Sequence, residues 1–210
     1  AAVGVMDMLK NIEVKTPVPQ INSDVCGELQ CKLCLSVCPY NAIVEEGDEI
    51  KVIPALCMGC GICTATCASG ANQLEGFTDS DMLKEIDEKV NEGDVVAFLC
   101  KWSAYPAAEP LLNDGLENVK FIKIPCTGRI SGGILLQTFK HNPRGVLISG
   151  CYPDGCHYNK GNFLARKRIF LAQTLLEQFG IPSERLRIEW LGNNETKRLR
   201  QILVEMKGGN

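Results

Sequence analysis

Twelve of the 210 residues are cysteine, and eight of these lie between Cys26 and Cys67. In a secreted chain twelve thiols would read as six disulfides. Two runs of four at metal-ligand spacing instead need free thiolates, hence a reducing compartment, and the expected location is cytoplasmic. Hydrophobic residues make up 45% and charged residues 22%, ordinary values for a globular chain with a real core. No apolar stretch approaches the roughly 18 residues of a membrane span. The apolar start, residues 1–9, is interrupted by Asp7 and lacks a basic region, so it does not read as a signal peptide. Without an initiator Met, the chain is expected to be processed or cut from a longer one.

Charge divides the chain. Residues 1–92 carry 6 Lys and no Arg against 15 Asp and Glu, a net of −9; residues 93–210 carry 16 Lys and Arg against 10 Asp and Glu, a net of +6. Two domains, 1–92 and 93–210, are expected to dock on different partners. The basic runs Arg166, Lys167, Arg168 and Lys197, Arg198, Arg200 lie on amphipathic helical patterns. They read as solvated helix faces, with an acidic protein partner as the second reading and no nucleic acid.

Residues 1–12 read as a short helix, followed by a linker over 15–23 with Pro17 and Pro19. The stretches 42–46, with Ile43 and Val44, and 50–53, with Ile50, Val52 and Ile53, flank Gly47, Asp48 and Glu49, a hairpin signal. Thr78 caps a helix, with Asp81 three residues on as a capping-box partner. Beyond residue 93 four apolar runs read as strands: 95–99, 120–124, 145–149 and 185–190. Helical patterns separate them: one after Pro110, one starting near Ser131, a long one carrying Leu164, Phe170, Leu175, Leu176 and Phe179, and a last one with Leu199, Ile202, Leu203 and Met206. Strand and helix in alternation indicate a parallel sheet covered by helices. The expected fold class is α/β and α+β: a small cysteine-rich domain, then a flavodoxin/Rossmann-like βαβ domain.

Cys57, Cys60, Cys63 and Cys67 stand at C-x2-C-x2-C-x3-C spacing. Three closely spaced thiolates from such a loop wrap three irons of a cubane, and the fourth turns to the other cluster. Cys31, Cys34, Cys38 and Pro39 repeat the later part of the pattern. The position where the first ligand is expected holds Glu28, so Cys26 must supply it through a longer loop; the alternatives are a cluster with three cysteines or a non-cysteine ligand, and a zinc pair. The assignment crosses over: Cys26, Cys31, Cys34 and Cys67 for one [4Fe-4S] cluster, Cys38, Cys57, Cys60 and Cys63 for the other. Residues 22–75 resemble the bacterial-type ferredoxin with two [4Fe-4S] clusters, departing from it at Ala68, where Pro is usual.

The remaining cysteines gather on the strand reading. Cys100, Cys126 and Cys151 end three successive strands, and Cys156 lies in the turn beyond. Strand ends of a parallel sheet share one edge, where open α/β folds place their sites. Four thiols there form a metal site, and spacing does not separate zinc from iron–sulfur.

Phe98, Cys100, Trp102, Ser103 and Tyr105, then Cys126, Thr127, Gly128 and Arg129, then Gly150, Cys151, Pro153, Gly155, Cys156, His157 and Tyr158, followed by Gly161 and Asn162, resemble the delta subunit of methyl-viologen-reducing hydrogenase over residues 94–208. That resemblance implies a [2Fe-2S] cluster, here on Cys100, Cys126, Cys151 and Cys156, and electron delivery to heterodisulfide reductase. Family members commonly carry a further Cys where this chain has Ser103. Residues 1–92 resemble the C-terminal ferredoxin end of the A-type component of heterodisulfide reductase. The function implied is an iron–sulfur relay without substrate chemistry of its own. It would join a donor oxidoreductase, of hydrogenase or formate dehydrogenase type, to a heterodisulfide-reductase-like, flavin-containing complex of the bifurcating kind.

Two rival readings remain: a thiol/disulfide redox enzyme using Cys151 and Cys156, and a zinc-binding docking scaffold. His157 reads as structural or as a neighbour of the cluster ligands, Arg129 as a charge partner or a surface residue, and His141 as a solvated helix end. Gly128, Gly132 and Gly133 do not make the dinucleotide fingerprint G-x-G-x-x-G.

The charge asymmetry predicts salt-sensitive assembly. Binding of the chain to its native partners should weaken as ionic strength rises; affinity that is indifferent to salt would reduce the two charged halves to solvated surface.

Overall fold

The computed structural model describes residues 16–26, 31–114 and 116–208. The helix expected over 1–12 lies outside them. Eight strands and eight α-helices follow in chain order among the described residues.

The first part is built from two antiparallel pairs. Strand β1 (Pro19–Ile21) pairs with β4 (Asn72–Leu74), and β2 (Ile43–Glu46) with β3 (Glu49–Val52). The second pair is the expected hairpin. The first was not anticipated: β1 falls inside the stretch read as a linker. Three short helices complete this part: α1 (Ser23–Cys26), α2 (Leu33–Val37) and α3 (Ile62–Thr66). The duplicated cysteine pattern is a duplicated backbone. The residue before α2, Lys32, and the residue before α3, Gly61, are both left-handed, with φ of 50° and 73°. Cys38 and Cys67 end the two helices with nearly the same angles, φ −70°, ψ 113° and φ −74°, ψ 107°. Lys32 is tied to Glu45 by an exposed ion pair of 2.6 Å. At Gly61 an added Cβ would lie 2.6 Å from Cδ of Arg129, so the space a side chain needs is already taken.

The second part is a three-layer α/β unit. Strands β5 (Val95–Cys100), β6 (Val119–Ile124), β7 (Gly145–Gly150) and β8 (Leu186–Trp190) form one parallel sheet in the order β6-β5-β7-β8. β5 is buried along its whole length, as a central parallel strand covered on both faces must be. One face packs on α4 (Asp79–Lys89), α6 (Gly132–Lys140) and α7 (Gly161–Gln178), through Met82, Ile86, Leu135, Ile169 and Leu176 against Phe98, Ile122 and Ile148. The other packs on α5 (Ala104–Ala108) and α8 (Thr196–Met206), through Ala107, Leu199 and Leu203 against Ala97, Leu99 and Leu147.

Three details depart from the sequence pattern. The helix expected after Pro110 lies before it: Pro106 sits in the first turn of α5, where no N–H is required of it, and Pro110 falls in a 3-10 turn. In α7 the core side is Ala165, Ile169, Ala172 and Leu176, whereas Phe170 and Phe179 are 54% and 74% exposed. Helix α4 precedes residue 92 in sequence, yet its apolar face lies in the α/β core. Its start is a full capping box: Thr78 Oγ1 accepts from the Asp81 N–H at 3.0 Å, and Asp81 Oδ2 accepts from the Thr78 N–H at 3.0 Å. His141 is a tether, with Nε2 2.8 Å from Asp87 Oδ1 on α4. Among the described residues no helix is long and apolar enough to cross a membrane.

The packing of α4 has a direct test. Ile86→Ala leaves a cavity under the sheet and should cost about 2–5 kcal/mol of stability, read as a lower denaturation midpoint of the α/β unit. A change within experimental error would show that α4 is not part of that core.

Candidate metal centres

The cysteines stand in three groups of four. Cys26, Cys31, Cys34 and Cys67 line one cavity of about 250 Å3, together with Ile21, Ile50 and Asn72. Cys38, Cys57, Cys60 and Cys63 line a second, of about 20 Å3, with Tyr40 and Ile62. The membership of each cavity is the crossed pairing that the spacing implies. Removal from water disfavours the charged form of these sulfurs. Burial pushes the Cys34 and Cys63 thiols up to about 11 and Cys60 to about 12, and neighbouring thiols add to this.

Backbone N–H groups oppose that cost. They reach Cys34 from Leu35, Cys57 from Gly59, Cys60 from Ile62 and Cys63 from Thr64, and the Ala42 N–H donates to Cys38 Sγ at 3.4 Å. Left-handed residues create this aim: a positive φ at Gly59 (66°), Gly61 and Lys32 turns the chain around the sulfurs. Buried Asn72, on the first cavity, leaves its Nδ2 without a hydrogen-bond partner among the described residues. A donor left unpaired beside four sulfurs fits a cavity that holds a negatively charged cluster.

The third group occupies the C-terminal edge of the parallel sheet. Chain order reverses around β5: β6 lies on one side of it and β7 on the other. Cys100 ends β5, Cys126 follows β6 and Cys151 follows β7, so the three converge on this switch point. Cys156 is brought back by the loop after β7, which Asn162 pins by donating from Nδ2 to the carbonyls of Cys151 (3.2 Å) and Tyr152 (2.8 Å). Sulfur contacts link Cys100 to Cys151, Cys151 to Cys156 and Cys156 to Cys126. Hydrogen bonds from these neighbours lower the Cys151 and Cys126 thiols and raise their donors Cys100 and Cys156. N–H groups of Trp102, Gly128, His157 and Asn162 point at the four sulfurs.

Two further observations test whether this group suits a cluster. A Cβ on Gly161 would stand 2.1 Å from Cys126 Sγ and 3.6 Å from Cys156 Sγ, so the start of α7 must be glycine for the sulfurs to approach. Buried Ser103 turns its Oγ to the Cys151 thiol and to no other partner among the described residues. Both fit a site shaped for a larger occupant that carries negative charge. His157 stacks on Trp102, ring centroids 3.7 Å apart, and Trp102 Nε1 donates to Tyr158 Oη at 2.8 Å. Its ring is therefore part of an aromatic wall, in keeping with the structural reading. Trp102, Ser103, Cys151 and His157 also line an open hollow of about 340 Å3. Among the described residues no three His, Cys, Asp or Glu are set to hold a single metal ion.

The groups are in series. Cys60 and Cys126 share an apolar cluster with Ile62 and Tyr158, flanked by Tyr40 and Cys156. Cys34 and Cys63 share another with Ile43, flanked by Cys38. The sheet-edge group thus meets the group of Cys38, Cys57, Cys60 and Cys63, and that group meets the group of Cys26, Cys31, Cys34 and Cys67. Glycine permits the closest approach: a Cβ on Gly128 would lie 2.7 Å from Ile62 Cγ1 and 2.9 Å from Gly161 Cα.

Two arginines hold this contact. Arg129 is fully buried, donating from Nε to the Phe77 carbonyl and from Nη2 to Asp79 Oδ1, both at 2.8 Å; the surface reading of it is excluded. Arg168 donates to the carbonyls of Gly128 (2.7 Å), Ile130 (3.4 Å) and Ile62 (3.5 Å), and to Thr66 Oγ1. It is not the solvated residue its basic run implied, and nothing in that run marks it out.

With this geometry the relatives can be placed. Residues 95–209 match the family described as "FlpD: Methyl-viologen-reducing hydrogenase, delta subunit". Over 117 residues, 54% of this chain and 85% of the relative, identity is 32% with the D-type iron-sulfur component of the F420-non-reducing hydrogenase of Archaeoglobus profundus. Over 107 residues, 50% of this chain and 74% of the relative, it is 33% with the D-type iron-sulfur component of the vhc F420-non-reducing hydrogenase of Methanococcus voltae. A longer match covers 192 residues and 88% of this chain. It is 31% identical to the A-type component of the ferredoxin/F(420)H(2)-dependent CoB-CoM heterodisulfide reductase of Methanosarcina acetivorans, but spans only 24% of that protein. By the match over its α/β half, the chain belongs to the methyl-viologen-reducing hydrogenase delta subunit family.

Proposed function

We propose that the chain is an electron-transfer subunit of a redox complex. In this reading residues 1–92 are a bacterial-type ferredoxin domain with two [4Fe-4S] clusters, one on Cys26, Cys31, Cys34 and Cys67, the other on Cys38, Cys57, Cys60 and Cys63. Residues 93–210 are a domain with one [2Fe-2S] cluster on Cys100, Cys126, Cys151 and Cys156. The single observation that carries the reading is the serial arrangement, with Cys60 against Cys126 and Cys34 against Cys63. A thiol enzyme or a zinc scaffold has no use for three adjoining four-sulfur groups.

Bound clusters would supply reversible one-electron redox chemistry. The chain's own residues do the rest. Twelve thiolates hold the iron, the N–H groups around them stabilise negative charge, and Ile62, Tyr40 and Tyr158 keep water from the contact between the sheet edge and the cysteine loops. An electron received from a donor oxidoreductase, of hydrogenase or formate dehydrogenase type, leaves for a heterodisulfide-reductase-like flavoprotein, and no bond is made or broken on this chain. The names of the relatives, hydrogenase and heterodisulfide reductase components, support partners of those two kinds; a reducing, cytoplasmic setting belongs to the same proposal. Bifurcation, where the complex performs it, belongs to a flavin on another polypeptide.

Anaerobically prepared chain should contain about ten irons and matching acid-labile sulfide, from two four-iron clusters and one two-iron cluster. About eight irons with free Cys151 and Cys156 would instead favour the thiol enzyme, and zinc in their place the scaffold. Cys156→Ser replaces a soft thiolate by a hard oxygen, and Gly161→Ala drives a methyl into Cys126 Sγ. Each should abolish or strongly shift the [2Fe-2S] EPR signal and stop donor-to-acceptor electron flow, while dithionite still reduces both [4Fe-4S] clusters. Normal flow through a Cys156→Ser complex shown to lack its [2Fe-2S] cluster would make the α/β half a docking scaffold.

A further inference from the structure

The contact between the sheet edge and the cysteine loops carries more positive charge than the described residues neutralise. Arg129 and Arg168 both lie in it. Arg129 has Asp79 as its carboxylate partner at 2.8 Å, while its third nitrogen, Nη1, is buried without a hydrogen-bond partner among the described residues. Every acceptor of Arg168 is neutral: three carbonyls and a hydroxyl. Two guanidiniums thus face one carboxylate, itself partly exposed. Burying an uncompensated cation is costly unless negative charge lies close by. Arg129 runs along Gly61, between Cys60 and Cys63, three residues after Cys126. Arg168 bonds the turn that follows Cys126 and the first residue of the helix that follows Gly61.

We propose that Arg129 and Arg168 are the counter-ions of the two adjoining cysteine groups, raising the potentials of their clusters so that a travelling electron rests at the Cys60–Cys126 contact. This rests on the cluster assignment above. Reduction adds one negative charge to a cluster whose thiolates already make it anionic, and a nearby buried cation stabilises that added charge. Near the group of Cys26, Cys31, Cys34 and Cys67, which lies beyond the middle group, the guanidiniums reach only Thr66, the residue before Cys67, whereas in the middle loop they reach Gly61 and Ile62. The arginines therefore set a gradient along the row, and they act as positioning and potential-setting residues that accept no electron themselves.

The experiment is an EPR-monitored redox titration of the full chain with dithionite. Arg129→Gln and Arg168→Gln should each lower the potentials of the two junction clusters. A shift of about tenfold in the reduced-to-oxidised ratio at fixed potential corresponds to about 59 mV for a one-electron couple. Asp79→Asn removes the opposing charge and should raise the same two potentials. The third cluster, approached by a guanidinium only at Thr66, should shift less than these two throughout. Should the Gln variants fail to fold, Arg168→Lys, which keeps the charge, and Asp79→Asn carry the test: the first should leave the potentials near those of the parent chain, the second should raise them. Loaded clusters whose potentials move in the same direction for Gln and Asn, or do not move at all, would reduce the arginines to structural clamps. A parent chain without iron–sulfur absorption would remove the cluster assignment itself, and this inference with it.

Discussion

Twelve thiols drawn together and mostly out of water are the constraint on which the rest of the structure depends. A thiol removed from water resists ionisation, and here burial, with neighbouring thiols adding to it, pushes Cys34, Cys60 and Cys63 well above the ordinary thiol range. The chain answers with main-chain dipoles. It bends at Lys32, Gly59 and Gly61 so that amides face the sulfurs, and it places glycine at Gly128 and Gly161 so that backbone can come within contact distance. Loop shape, glycine placement and the shortness of the helices Leu33–Val37 and Ile62–Thr66 follow from this one electrostatic demand.

The α/β half meets the same demand by topology. Neighbouring parallel strands end along one edge, and the reversal of strand order around Val95–Cys100 opens a crevice there. Cys100, Cys126 and Cys151 need only stand at or just past their strand ends to converge. The long helix Gly161–Gln178 then serves both halves: Gly161 at its start abuts the sulfurs, and Arg168 two turns on reaches back to the loop of Cys60 and Cys63.

The strands and the cysteine groups were legible in the sequence because each has a short-range signature: unbroken apolar runs for buried parallel strands, fixed spacing for ligand loops. The pairing of Pro19–Ile21 with Asn72–Leu74 was not. Each strand has three residues, and their partnership is made only by tertiary contact. Pro110 misled because Pro106 is equally acceptable within a first turn. Phe170 and Phe179 look like core residues, whereas the sheet accepts the smaller Ala165 and Ala172, which let the helix lie close. Arg168 is illegible for a related reason: a basic run on a helix has the same pattern whether its members face water or carbonyls. Ser103, where the resemblance implied a further cysteine, sets a hydroxyl rather than a thiol beside Cys151.

The two cysteine loops share one backbone pattern and do not do the same job. At Lys32 the left-handed corner is occupied by a side chain reaching out to Glu45, whereas at Gly61 the same corner is filled by Arg129 from the other half of the protein. A lysine at the second corner would collide with that arginine, and a glycine at the first would give up the ion pair. The duplicated unit has therefore acquired a head and a tail: only the Cys57–Cys63 loop can serve as the socket for the sheet edge, and the row of sulfur sites can be joined in one orientation alone.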